Sequence, residues 1–279
     1  MIPNNINKHA ITGVGLGLRP SHYQEVLCSK PSIPWFELLA DNYMSDGGLP
    51  IERAQKIRHD YPVTLHCVGM SLGSCDPLNI NYLTKLKALS EKLEPAYISD
   101  HLAWASIKGQ YTHDLLPLPY NAHTLDHMCE RISKVQEFLG RTILIENPSS
   151  YLTFKESDMT EWEFISQMAK KSGCELLVDI NNIYVSSVNH NFDPIHYVAS
   201  LPAEKVKELH LAGFSEMHNY LLDTHSEKIH PSVWQLYRAA IKQFGATPTL
   251  IEWDSDVPDF ATLHQEALTA ERHMWALSQ

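Results

Sequence analysis

Short apolar or β-branched segments recur along the chain, and each is followed by a polar turn and a longer amphipathic stretch. Such short segments between turns are typical of buried strands, whereas apolar positions that recur every three or four residues indicate a helix. Two of the amphipathic stretches, HTLDHMCERISKVQEFLG and PSVWQLYRAAIKQFG, end on a glycine, a common helix terminus. The pattern predicts eight strands, at 13–18, 35–40, 63–69, 96–103, 142–147, 175–181, 206–213 and 247–253.

Strands and helices alternate through the whole chain, which indicates parallel strands joined by crossover helices. Eight such units close into a barrel, so we predict an α/β fold, a (β/α)8 TIM barrel. An open doubly wound sheet would also alternate, but GVGLGL lacks the glycine spacing that opens a helix in dinucleotide-binding folds. Because no repeat or linker interrupts the pattern, we expect one domain to span residues 1–279.

The charge and the cysteines narrow the class of protein. A formal charge of −11 disfavours nucleic-acid binding, which normally requires a basic surface. The five cysteines are an odd number without a C-x-x-C pair, as expected of reduced thiols. No apolar stretch approaches the length of a membrane span, and the N-terminal stretch does not resemble a signal peptide. We therefore expect a cytoplasmic protein with no membrane or nucleic-acid partner.

Most of the predicted strands carry an ionisable side chain near their carboxyl end, between apolar neighbours. In TIM barrels the reaction centre lies on the face that these strand ends form. Because side chains alternate along a strand, each ionisable residue points to the barrel axis if its apolar neighbours face the helices. The residues concerned are His66, His101, Glu146, Asp179, His210 and Glu252.

Imidazoles and carboxylates that converge in this way predict a metal site. A single strand-end histidine is more often a packing residue than a ligand, but the joint pattern favours ligation. Buried carboxylates cost several kcal/mol unless they are paired or bind cations, so more than one ion is expected. Asp223, His225 and Asn182 could complete a third position, although Asp-Thr-His alone fits a solvated loop equally well. Nitrogen and oxygen donors suit iron, manganese or zinc.

Three further residues are weaker candidates for substrate binding. Arg19 follows the first predicted strand and could hold a peptide carboxylate. Glu37 is read as the end of the second strand, and Asn42 follows it, so both could line the mouth of the barrel. A helix cap or a turn explains these two residues at least as well.

Ten ordered motifs resemble the multinuclear non-heme iron-dependent oxidases, formerly an uncharacterised bacterial family. The resemblance runs from about residue 13 to 260, and the set is specific although each motif alone is weak. The motifs are GVGLGLR, WFELLADNY, LHCVGMSLGS, ISDHLAW, LLPLPY, IENPSSY, LLVDINNIYVSS, ELHLAGF, DTHSEKIHP and LIEWDSDVP.

The resemblance implies a xylose-isomerase-like barrel with two or three iron ions, zinc or manganese being possible substitutes. His66, His101 and Glu146 would hold one ion. Glu146 would bridge to a second ion, held also by Asp179, His210 and Glu252. A third would take Asn182, Asp223 and His225, where related endonucleases have histidine in place of the asparagine.

The resemblance also implies an activity. Members of this family use dioxygen to modify residues, cysteine above all, in ribosomally synthesised precursor peptides. Many work with a small partner protein that presents the leader of the peptide. Two alternatives remain open: a zinc- or manganese-dependent hydrolase or isomerase of the apurinic-endonuclease or xylose-isomerase type, and a non-catalytic metal-containing barrel that only binds a peptide.

Overall fold

The computed structural model describes residues 10–45 and 47–277. In this part of the chain, eight parallel strands form a closed barrel. The predicted (β/α)8 barrel is therefore confirmed. The single-domain prediction for 1–279 stays a prediction, and it also covers residues 1–9, 46 and 278–279, which lie outside the described residues.

All eight predicted strands are present, each shorter than its apolar segment, because the segments also include the first residues of the turns. The strands of the barrel are β1 Val14–Gly17, β2 Phe36–Leu39, β3 Val63–His66, β4 Ile98–His101, β7 Leu144–Glu146, β8 Glu175–Asp179, β9 Val206–Leu211 and β12 Thr249–Ile251. Around the barrel they follow the order β1-β12-β9-β8-β7-β4-β3-β2.

Two hairpins were not predicted. They follow barrel strands β4 and β9 at the carboxyl face, and most of their residues are exposed or half-buried, so they lack the apolar pattern by which the other strands were found. Their strands are β5 Trp104–Ile107 with β6 Gln110–Leu116, and β10 Ser215–Glu216 with β11 Leu221–Leu222.

Helices cover the outside of the barrel and bury their apolar faces against it. The predicted glycine stops are confirmed, since Gly140 and Gly245 follow the last residues of two helices with positive φ. No helix within the described ranges is long and apolar enough to cross a membrane. The helices are α1 Tyr23–Ser29, α2 Leu49–Asp60, α3 Ile80–Leu93, α4 Ala122–Leu139, α5 Glu161–Ser172, α6 Ile180–His190, α7 Pro194–Ser200, α8 Pro231–Phe244 and α9 Phe260–Leu277.

Gly213 fixes the path of the long loop after β9. A Cβ atom at this position would lie 2.1 Å from the backbone oxygen of Glu227, which is closer than any real contact. Only glycine therefore allows residues 214–228 to fold back onto the end of β9. This loop carries Asp223 and His225, so the glycine also determines where those two side chains lie.

Candidate metal centre

The register of the barrel brings the strand-end residues to one level. His101 on β4 pairs with Glu146 on β7, and Asp179 on β8 pairs with His210 on β9. Neighbouring strands lie about 5 Å apart, so side chains in such pairs that point to the axis approach one another. The six strand-end residues found from the sequence are all buried.

The first group of donors consists of His66, His101 and Glu146. Glu146 Oε2 lies 3.4 Å from His66 Nε2 and 3.3 Å from His101 Nε2. The other nitrogen of His66 is 2.8 Å from Ser99 Oγ, and that of His101 is 3.5 Å from Asp100 Oδ1. Both imidazoles thus direct Nε2 towards the same carboxylate oxygen.

The second group consists of Glu146, Asp179, His210 and Glu252, whose donor atoms all lie within 4.8 Å of one another. His210 Nδ1 is 3.1 Å from Glu252 Oε2 and 3.9 Å from Glu146 Oε1. Glu146 belongs to both groups, with Oε2 directed to the first and Oε1 to the second. These two groups have the same members as the two ligand sets that the resemblance implied.

The third predicted set lies beside the second group, at the wall of the same cavity. His225 Nε2 is 2.7 Å from Asp223 Oδ1, and Asn182 lines the cavity with them. His225 Nδ1 also lies 3.3 Å from Glu252 and 3.2 Å from Asp254 Oδ2. Asp254 was not predicted, because it follows the last strand in a loop where no alternation marks the direction of a side chain.

Burial and crowding perturb the acid–base behaviour of these groups. Burial raises the pKa of Glu146 to about 8 and that of Asp179 to about 7, although neighbouring imidazoles favour ionisation. Burial opposes charge on His101, but Glu146 and Asp100 outweigh it and raise its pKa to about 9. Burial would also raise the pKa of Glu252, but two facing imidazoles hold it well below its usual range.

The donor atoms of these three groups have the hydrogen bonding and the chemistry expected of metal ligands. Among the described side chains, Glu146 Oε2, Asp179 Oδ2 and Asn182 Oδ1 are buried without an aligned hydrogen-bond partner. Both ring nitrogens of His225 approach carboxylates but also make no aligned hydrogen bond. Buried polar atoms are normally paired, so poorly paired donors that converge on shared points are suited to bind a cation. The donor set is nitrogen and oxygen, which suits iron, manganese or zinc.

A cavity of about 400 Å³ opens above the donors and is lined by His66, His101, Glu146 and Glu252. Arg19 and Asn42 line it as well. The Arg19 guanidinium contacts the Asp254 carboxylate and lies 3.8 Å from Glu252 Oε1. Arg19 is therefore already close to two carboxylates, whereas Asn42 is exposed at the mouth.

Glu37 lies deeper in the barrel than the sequence predicts. The sequence pattern predicts it at the end of the second strand, at the mouth of the barrel, but it is the second residue of β2, because the strand runs on to Leu39. Its side chain is buried inside the barrel, where Oε2 lies 3.3 Å from His210 Nε2. Glu208 Oε1 also lies near this nitrogen, at 3.8 Å, and the sequence analysis does not identify it. Its signal was present, since Glu208 precedes His210 by two residues and so shares its face of β9.

A closed parallel barrel with a buried cluster of histidines and carboxylates at its carboxyl face defines a (β/α)8 TIM barrel with a candidate metal centre. Solved structures support the fold. The chain resembles a D-psicose 3-epimerase from Clostridium cellulolyticum H10, with a TM-score of 0.60, 11% identity and coverage of 96% of this chain and 99% of that one. It also resembles a xylose isomerase domain-containing protein from Salmonella typhimurium LT2, with a TM-score of 0.60, 13% identity and coverage of 99% of both chains.

The family follows from the sequence match. The model of the family described as "RiPP precursor modification enzyme MbnB/TglH/ChrH" matches residues 13–274, and the chain belongs to this family. A UPF0276 protein of Acaryochloris marina is 51% identical over 95% of this chain and 96% of its own length. Another, from Caulobacter vibrioides, is 44% identical over 95% of this chain and 94% of its own length.

Proposed function

We propose that this protein is a multinuclear non-heme iron oxidase that uses dioxygen to modify a residue, cysteine in the first instance, of a ribosomally synthesised precursor peptide. Membership of a family of RiPP precursor modification enzymes supports a peptide substrate. The observation that carries the metal part is the shared Glu146, which joins two buried donor groups below one open cavity.

In this proposal the chain itself supplies ligands and positions. His66, His101 and Glu146 hold one ion, and Glu146, Asp179, His210 and Glu252 hold the second. Iron in these positions supplies the redox chemistry with dioxygen that side chains alone do not provide.

The outer part of the site has a weaker set of donors. Asp223, His225 and Asn182 hold a third ion less tightly, because an amide oxygen is a weaker ligand than an imidazole. Asn42 and Arg19 lie where the peptide enters the cavity.

The proposal includes a partner and a compartment. A small protein that presents the leader of the peptide would account for substrate recognition, because the cavity itself admits only a short segment of a peptide. The five cysteines in the described part of the chain are free thiols, which fits the reducing cytoplasm.

Two alternatives use the same ligands. A zinc- or manganese-dependent hydrolase or isomerase is favoured by the fold of the epimerases, but identities of 11–14% to those structures carry the fold alone. A barrel that binds a metal and a peptide without catalysis would leave the peptide unchanged.

The test is mass spectrometry of a cysteine-containing precursor peptide encoded beside the gene, after incubation with iron-loaded protein. We expect a change of mass with air and none under anaerobic conditions. Zinc-loaded protein and the Glu146→Gln variant serve as controls and should leave the peptide unchanged. Equal conversion without oxygen, or with zinc, would contradict an oxidase and favour a hydrolytic or isomerising reaction.

A further inference from the structure

The two nitrogens of His210 face opposite parts of the barrel. Nδ1 is directed to Glu252 and Glu146, which belong to the metal centre. Nε2 is directed away from it, to Glu37 Oε2 at 3.3 Å and Glu208 Oε1 at 3.8 Å. A neutral imidazole carries one proton, so the partner of one nitrogen decides whether the other can bind a cation.

The two glutamates below His210 have little else to contact. Glu208 is 0% exposed, and neither of its carboxylate oxygens has an aligned hydrogen-bond partner. Glu37 is 1% exposed and accepts a long hydrogen bond of 3.5 Å from Thr64 Oγ1. A buried carboxyl group with few or no hydrogen-bond partners destabilises a fold, so two such groups beside one nitrogen suggest a functional role.

We infer that Glu37 and Glu208 are positioning residues that keep the proton of His210 on Nε2 and so present Nδ1 to the metal centre. The inference rests on the metal centre of the proposed function, but on neither iron nor oxidation. Glu37 is the nearer of the two carboxylates to Nε2, although neither contact is an aligned hydrogen bond. Carboxylates in this position orient a ligating histidine and increase its basicity.

The other two strand-end histidines, His66 and His101, face the metal centre with a different ring nitrogen from His210. His66 directs Nδ1 to Ser99 and His101 directs Nδ1 to Asp100, so both present Nε2 to Glu146. His210 has the opposite orientation, because its Nε2 faces Glu37 and Glu208 and its Nδ1 faces the metal centre. The centre is therefore expected to bind metal through Nε2 of two histidines and through Nδ1 of the third.

The proton can be located directly by NMR on ¹⁵N-labelled, zinc-loaded protein. Zinc is the probe because it is diamagnetic and has no redox chemistry. Long-range ¹H–¹⁵N spectra distinguish the two ring nitrogens, and the His210 signals are those absent from the His210→Asn variant. We expect the proton on Nε2. A His210 with Nε2 unprotonated, whether free or bound to a fourth ion between the glutamates, would overturn the inference.

Variants test the role of the two carboxylates. In Glu37→Leu and Glu208→Leu we expect zinc affinity to fall by about 10- to 100-fold, as is usual when the outer partner of a ligating histidine is lost. Glu37→Gln keeps an acceptor oxygen and should lose less than Glu37→Leu. The metal-free Leu variants should melt at a higher temperature than the metal-free parent, because an unpaired buried acid is removed.

This pair of readouts separates positioning from structural support. A purely structural role would lower the melting temperature of the metal-free variants, and zinc affinity unchanged in both Leu variants would also overturn the inference. Glu161→Gln is the matched control, because Glu161 accepts hydrogen bonds from Tyr120 and Tyr197 in the outer layer, away from the centre. Its zinc affinity should equal that of the parent. Failure of the proposed oxidase reaction would leave these zinc and NMR results unaffected.

Discussion

Glu146 ends β7 at the point where both donor groups meet. Its Oε2 lies 3.4 Å from His66 and 3.3 Å from His101, and its Oε1 lies 3.9 Å from His210. An amide at this position keeps the size of the side chain but loses the charge and one of the two donor oxygens. Glu146 is thus the position at which a single substitution tests both groups at once.

We predict that Glu146→Gln weakens the binding of both inner ions, by more than the roughly 100-fold that loss of an outer partner can cost. Elemental analysis after gel filtration should give fewer bound ions per chain than the parent. Glu161→Gln, which changes a half-buried carboxyl group of the outer layer, should leave the metal content unchanged. A full metal content in Glu146→Gln would contradict the bridging role.

Asp223 should affect only the outer ion. It contacts His225 at 2.7 Å and accepts a hydrogen bond of 2.8 Å from Asn181, but it does not belong to the two inner groups. We predict that Asp223→Ala removes at most one ion per chain and leaves the inner pair bound. Mössbauer spectra of iron-loaded parent and variant would measure this, and loss of the spectrum of the pair would contradict it.

The residues of the inner groups could be predicted because each stands in a strand, where alternation shows the direction of a side chain. His66 lies between Leu65 and Cys67, and both neighbours are buried on the other face. Asp254 could not be found in this way, because a loop has no fixed period. Glu208 obeyed the same rule as His210 but lies deeper in the barrel, below the strand ends to which the prediction was restricted.

At the scale of elements, the barrel strands were predictable and the two hairpins were not. Barrel strands are buried on both faces and appear as apolar runs, which single them out. In β6 every residue is exposed or half-buried, so its sequence QYTHDLL resembles a loop. These hairpins continue from strand ends β4 and β9, and residues Asp114 and Leu115 of β6 line the cavity. The least predictable elements therefore border the site.

The loop after β9 provides a test of how an element positions ligands. Gly213→Ala would place a methyl group 2.1 Å from the Glu227 carbonyl, so the loop must move. We predict a loss of about 1–3 kcal/mol in the free energy of unfolding, as is usual for overpacking. The outer ion should be lost with it, because Asp223 and His225 shift.

Urea denaturation and metal analysis measure the two effects of this change. Gly47→Ala is the control, since nothing lies within 4 Å of a Cβ atom at that position. It should alter stability by less than about 0.5 kcal/mol. An outer ion that is still bound in Gly213→Ala would show that the loop does not depend on the close packing of the glycine.

At the scale of the whole molecule, the barrel interior concentrates acidic groups that the fold alone does not neutralise. Many carboxylates lie in or beside the centre, and the basic side chain of Arg19 lines the cavity above them. They include Glu37, Glu146, Asp179, Glu208, Asp223, Glu252 and Asp254. Bound cations would neutralise them, so metal content and the stability of the fold should be linked.

The linkage predicts that metal-free protein becomes less stable between about pH 7 and 9. Glu146 has its pKa raised by burial to about 8 from an ordinary 4.5, so its stabilising protonated form is lost as pH rises through 8. Burial opposes charge on His101, but Glu146 and Asp100 raise its pKa to about 9, so its contribution is lost as pH rises through 9. Burial lowers the pKa of His66, and two imidazoles lower that of Glu252, so these contributions are constant above pH 7.

Melting curves in EDTA at pH 7, 8 and 9 should therefore show a falling midpoint. Each kcal/mol of stability corresponds to roughly 2–4 °C in a domain of this size, so a change of several degrees is measurable. Zinc should raise the midpoint at every pH, and most at pH 9, because ligands bind metal in their deprotonated forms. Glu146→Gln in EDTA removes one titrating carboxyl group and should show a smaller fall. A midpoint that rises with pH in EDTA would contradict the raised pKa values of Glu146 and His101. A zinc effect that does not grow with pH would contradict their role as metal ligands.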